Sequence, residues 1–88
     1  MKAEKVKVVS KQGLHARPAG QLVTECKKFK SQVYIRYGDK KVNTKSIFSI
    51  LQCGIKCGSE VVVECQGEDE ELACDTIVRK IAEGLGDL

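Results

Sequence analysis

Apolar residues along this chain switch repeatedly between two spacings, and the order of the switches leaves few folds open. Val6 and Val8 alternate with Lys5 and Lys7, which predicts a half-buried strand over residues 3–9. Ala19, Leu22, Val23 and Cys26 then recur at i, i+3, i+4 and i+7, one face of a helix over 16–27. Val33, Ile35 and Tyr37 alternate with Tyr34 and Arg36, Gly38-Asp39 makes a turn, and Lys40–Asn43 returns as the third strand of a hairpin. Ser46 precedes Ile47, Phe48, Ile50 and Leu51, a short helix stopped by Gly54 and Gly58, and Val61, Val63 and Cys65 mark a fourth strand. Asp69 is placed to cap a last helix with Glu70 and Glu71 in its first turn and Arg79 and Lys80 in its last. That charge order suits the helix dipole, and Gly84 supplies the stop. Ala73, Ile77, Val78 and Ile81 form its apolar face. The resulting string, β-α-β-β-α-β-α, predicts helices stacked on one face of a four-stranded sheet, an α+β two-layer fold.

Composition removes whole classes of function. With 88 residues, residues 1–88 are expected to form one domain near the size where a single core is marginal. The hydrophobic share of 42% is enough for a packed core, and a net charge of +3 is too mild for a protein that coats nucleic acid. An RNA-binding α+β domain remains the remote alternative. It lacks support: there is no GxxG loop, and two tyrosines and two phenylalanines place no stacking pair on one strand. No apolar run approaches the ~20 residues of a membrane span. The opening MKAEKVKVVSK has no signal-peptide core, so a cytoplasmic protein without membrane insertion is expected. Five cysteines are an odd number and contain no CxxC. Cys26, Cys65 and Cys74 fall in apolar-periodic stretches, and glycines 54 and 58 break any helix aligning Cys53 with Cys57. Reduced, structural thiols are therefore expected, with a metal or redox site as the lesser reading.

The chemistry concentrates in GLHARPAG, residues 13–20, which hold the sole histidine and the sole proline. With His15 as N-cap, Pro18 falls in the first helical turn, where a missing N–H sacrifices no helix bond. The N–H groups of Ala16 and Arg17 then face outward as an anion site at the positive end of the dipole, and the Arg17 guanidinium matches phosphoryl oxygens. That field biases the imidazole toward its neutral form, with a lone pair available to phosphorus, and afterwards stabilises the phosphoryl charge. The competing reading is a histidine that merely caps a helix, with Arg17 a solvated charge. No nucleotide loop, metal cluster or second base accompanies it, so no self-contained enzyme and no cofactor is expected.

Gly13-Leu14-His15-Ala16-Arg17-Pro18-Ala19 resembles the active-site signature of the HPr family, the histidine-containing phosphocarriers of the bacterial phosphoenolpyruvate:sugar phosphotransferase system. The resemblance runs through essentially the whole chain. It includes Asn43-Thr44-Lys45-Ser46-Ile47, similar to the family's regulatory-serine segment, and Gly67-Glu68-Asp69-Glu70-Glu71 before the last helix. It implies an open-faced β-sandwich with strand order 1-4-2-3 under three helices. His15 would take a phosphoryl group on Nδ1 from phosphorylated enzyme I and pass it to the IIA domains of sugar permeases, with Arg17 assisting. It also implies that Ser46 is a target of an HPr kinase/phosphorylase and that a catabolite-control transcription regulator is a partner. Two departures stand out: Gly20 occupies a helical position where the family usually has a β-carbon, and Phe48 stands where Met or Leu is common.

Ile47, Phe48 and Leu51 share one side of the short helix, and Ile50 and Cys53 share another. One side suffices to attach the helix, so the first is either buried more deeply or left as a docking patch, and the resemblance favours docking. Lys27, Lys28 and Lys45 are candidates to meet an acidic partner, or simply solvated charges. Ser46 is equally a plain N-cap, without the Glu or Gln at position 49 that a capping box needs. Within the family, a regulatory paralogue and a nitrogen-related phosphocarrier are the alternatives to a sugar phosphocarrier.

Overall fold

The alternating segments pair as expected into one antiparallel sheet. The computed structural model describes residues 1–86. Its elements in chain order are β1 (Lys2–Lys7), α1 (Ala16–Cys26), β2 (Gln32–Tyr37), β3 (Lys40–Asn43), α2 (Ile47–Cys53), β4 (Glu60–Gln66) and α3 (Glu70–Ala82). The strand order is β1-β4-β2-β3, with β4 between β1 and β2. In register, Val6 faces Val61, Val33 faces Cys65 and Ile35 faces Val63, which puts the apolar set on one face. The helices cover that face: α3 lies on β1 and β4, while α1 packs between α2 and α3.

Strand and helix stripes meet in one core. Leu22, Ile35, Ile50, Ile77 and Ile81 are fully buried in it. Burying each such side chain stabilises the fold by roughly 1.5–3 kcal/mol. Truncating one to alanine costs about 2–5 kcal/mol, comparable with the whole stability of a small domain. The other face is open. There Glu64 is nonetheless buried, because Arg36 Nε lies 2.7 Å from its Oε2 and Lys41 Nζ lies 3.1 Å from its Oε1, with Lys41 also 4.7 Å from the centre of the Tyr34 ring. The Arg36 hydrogen bond, then Lys41, holds the Glu64 carboxyl below its usual pKa.

Several sequence expectations shift in detail. The first strand ends at Lys7 rather than residue 9, because Val8 pairs with a turn: its N–H donates to Ser59 O and its carbonyl accepts from Gly58 N–H. On α3, Cys74 takes a fully buried place, while Val78 is only partly buried against the core. Asp69 does sit at the N-cap of α3, and its carbonyl accepts the Ala73 N–H at 2.8 Å, but its side chain caps nothing. The carboxylate instead accepts the N–H groups of Lys30 and Ser31, each at 2.9 Å, and the Ser31 hydroxyl, which clips the exit of α1 to the entry of α3.

Candidate phosphoryl site

Backbone contacts build the platform from which His15 projects. Leu14 N–H donates to Ile55 O at 2.9 Å, and Gly13 N–H to Ser10 O at 2.9 Å. Gly13 has φ +73°, and a Cβ there would stand 2.2 Å from Ile55 O and 2.7 Å from the Lys56 Cα. Glycine is thus required twice over, by its conformation and by the closeness of the 55–56 backbone. Buried Leu14 anchors the segment, and the next residue, His15, is the N-cap of α1 with extended backbone (φ −79°, ψ −170°). Its carbonyl accepts the Ala19 N–H at 2.9 Å. Its side chain makes no capping bond, so the imidazole is not spent on the helix end.

Ala16 and Arg17 are exposed and Pro18 is buried in the first turn, as the sequence implies. The N–H groups of Ala16 and Arg17 precede the first intrahelical donor and sit at the positive end of the α1 dipole. Beside them opens a cavity of about 390 Å³, lined by Leu14, His15 and Ala16 together with Leu51, Ile55 and Lys56. Arg17 stands outside that wall. Lys56 was not singled out by any motif; the signal that reaches it is the Gly54 stop after α2, which turns the chain back beside Gly13. An anion arriving here meets an imidazole, first-turn N–H groups and cationic side chains, a setting for accepting and releasing a phosphoryl group.

The docking candidates fall on the same surface. Ile47, Phe48 and Leu51 are 41%, 67% and 39% exposed, whereas Ile50 and Cys53 are buried, and Leu51 joins the patch to the His15 cavity. Ser46 is the N-cap of α2, and its Oγ accepts the Ser49 N–H at 3.4 Å and the Ser49 hydroxyl at 3.2 Å. Of the three lysines, Lys27 is exposed, but Lys28 pairs with Glu25 at 3.1 Å. Lys45 is folded back, donating to Phe29 O and Ser31 O, and so is committed to the connection between α1 and β2 rather than held out toward a partner.

Four cysteines are buried and Cys57 is exposed. Desolvation pushes the Cys26 thiol up to about 11 and the Cys65 thiol up to about 12, and raises Cys74 as well, which keeps these sulfurs protonated and unreactive. Among the described residues no group of three His, Cys, Asp or Glu side chains is placed to hold a metal ion, and no helix is long and apolar enough to cross a membrane.

Fold and family likeness together define a small phosphocarrier, a protein that carries a phosphoryl group and is not itself an enzyme. The family model for the PTS HPr component phosphorylation site matches residues 2–83, and the chain belongs to the HPr family of the phosphotransferase system. It is 46% identical over 70 residues to the phosphocarrier protein HPr of Buchnera aphidicola subsp. Acyrthosiphon pisum (strain APS), covering 80% of this chain and 82% of that one. It is 40% identical over 83 residues to the HPr-like protein Crh of Bacillus subtilis (strain 168), covering 94% and 98%. Among solved structures, HPr-C-His from Thermoanaerobacter tengcongensis superposes with a TM-score of 0.94 at 39% identity, covering 100% of this chain and 99% of that one. The 1-4-2-3 open-faced sandwich expected from the resemblance is the fold observed.

Proposed function

We propose that residues 1–88 act as a single cytoplasmic domain whose His15 accepts a phosphoryl group from phosphorylated enzyme I and hands it to sugar-specific IIA domains. The observation that carries this reading is the His15 imidazole at the N-cap of α1, beside a cavity continuous with an exposed apolar patch. The imidazole Nδ1 lone pair attacks phosphorus; the bond from phosphorus to the donor breaks and its electron pair leaves with the donor. The N–H groups of Ala16 and Arg17 and the Arg17 guanidinium hold the phosphoryl oxygens, and no cofactor or metal takes part. A dipole contribution of ~0.3–1 kcal/mol holds the group without trapping it. Ile47, Phe48 and Leu51 form the surface on which enzyme I and IIA domains dock.

Ser46 is a regulatory phosphorylation site for an HPr kinase/phosphorylase, and the serine-phosphorylated form engages a catabolite-control transcription regulator. The likeness to Crh favours a second reading, a regulatory paralogue, against which His15 and Arg17 both stand intact in this chain. Incubation with enzyme I and phosphoenolpyruvate, followed by intact mass measurement, tests the carrier reading. One acid-labile phosphoryl group per chain is expected, and its absence refutes the reading.

A further inference from the structure

Lys56 lines the His15 cavity, and no residue pattern around it marks it for a task. Three observations give it one. First, its backbone is fixed relative to the imidazole. Leu14 N–H is bonded to Ile55 O, and a Gly13 Cβ would stand 2.7 Å from the Lys56 Cα. Ser59 N–H returns to Lys56 O at 3.1 Å, closing a turn around the residue. Second, Lys56 is exposed and lines the same cavity of about 390 Å³ as His15 and Ala16. Third, no carboxylate among the described residues pairs with it, in contrast to Lys28, Lys30 and Lys41, each of which has one. A cation rooted beside the Gly13 backbone, lining the same cavity as the imidazole and not neutralised by an acid, is arranged to meet an anion on His15.

Resting on the phosphocarrier reading of His15, we propose that Lys56 is a second phosphoryl-contacting cation, complementing Arg17. Arg17 is carried by α1 and is not part of the cavity wall, whereas Lys56 comes from the segment after α2 and lines the cavity, so the two reach the group from different elements rather than duplicate each other. The ammonium, a compact charge on a flexible stem, follows the phosphoryl group as it arrives and leaves.

The test uses the whole chain as wild type, Lys56→Gln and Lys56→Arg, each phosphorylated on histidine with phosphoramidate and titrated by phosphorus NMR. By Coulomb's law in water, a cation brought to within roughly 6 Å of a phosphoryl group favours the dianion by about half a pH unit, so loss of Lys56 is expected to raise the phosphoryl titration midpoint by that amount. Lys56→Gln is expected to show that rise and Lys56→Arg the wild-type midpoint. Acceptance from phosphorylated enzyme I is expected to slow roughly threefold in Lys56→Gln at unchanged KM for enzyme I. An unchanged midpoint in Lys56→Gln overturns the proposal, whatever the transfer rate. A raised KM with an unchanged midpoint makes Lys56 a docking charge and overturns it equally. Failure of the wild-type chain to take a phosphoryl group refutes the carrier reading itself, an outcome visible before any variant is compared.

Discussion

Gly20 lies in the second turn of α1, where an alanine would ordinarily serve better, so the cost of the missing methyl can be worked from its surroundings. Glycine in a helix interior is about 0.5–1 kcal/mol less favourable than alanine, because it surrenders more backbone freedom on folding. Whether the gain is realised depends on space for the new Cβ. At Gly20 the nearest heavy atom to it would be the Ile47 Cδ1 at 3.8 Å, an ordinary van der Waals contact with the far end of a flexible side chain. The Gly20 carbonyl accepts the Thr24 hydroxyl at 3.0 Å, a bond the added methyl leaves in place. Gly20→Ala should therefore stabilise the protein by about 0.5–1 kcal/mol. For a domain of this size that raises Tm by roughly 2–8 °C. Thermal and urea unfolding followed by far-UV circular dichroism would measure it, with the denaturant slope unchanged because the exposed surface hardly differs. A Tm equal to or below wild type would refute the reasoning, since it would mean that α1 and α2 approach more closely than the 3.8 Å gap allows.

Other predictions follow from the site and its charges. His15→Ala should abolish phosphoryl acceptance while costing less than ~1 kcal/mol of stability, because the imidazole makes no capping bond to α1; a variant that still takes phosphate from enzyme I removes His15 as the acceptor. Ser46→Asp should keep or raise Tm, since aspartate caps a helix as well as serine and suits the positive end of α2, yet slow phosphorylation of His15 by placing charge beside Ile47, Phe48 and Leu51. Wild-type transfer kinetics in that variant would leave Ser46 as a cap alone. The carboxyls of Glu64, Asp69 and Glu70 are all held below their usual range in the folded chain, by Arg36, by Ser31 and by the Gly67 N–H respectively. Groups depressed on folding add stability that is complete above the unfolded carboxylate range, near pH 4, and is lost as pH falls through their folded values. Urea midpoints should accordingly hold from pH 7 to about 5 and drop below 4, with a shallower drop in Glu64→Gln; equal midpoints at pH 6 and 3 would contradict this.

The order of elements and the face each buries were legible because they rest on local spacing: Leu22 and Cys26, or Val61 and Val63, announce their partners within a turn or two residues. The place of His15 at the N-cap of α1 was legible for the same reason, since the cap, the proline and the arginine are neighbours in sequence. What local spacing does not carry is contact between distant segments. Asp69 looks like a helix cap from its own neighbourhood, but Lys30 and Ser31, far earlier in the chain, offer its carboxylate an N–H group each and Ser31 adds its hydroxyl, and the side chain turns there. Lys45 reads as a free surface charge until the connection between α1 and β2 arrives with the carbonyls of Phe29 and Ser31. Glu64 alternates like a solvated residue and is buried only because Arg36 from β2 and Lys41 from β3 close over it. Lys56 joins the candidate site through the backbone fit at Gly13, which no periodicity encodes.

The uneven exposure of the thiols makes the native chain its own unfolding reporter. Cys57, on the loop that pins Gly13, is open to solvent, whereas Cys26, Cys53, Cys65 and Cys74 are enclosed between helices and sheet. A maleimide dye added to the folded protein should thus couple once, next to the phosphoryl site, and give a fluorescent sensor of partner docking without mutagenesis. Further labels enter only when the layers part, at a pace set by opening rather than by sulfur chemistry when the reagent is abundant. Because Cys53 belongs to α2 and Cys74 to α3, mass-resolved labelling separates loosening of the docking helix from loss of the whole core.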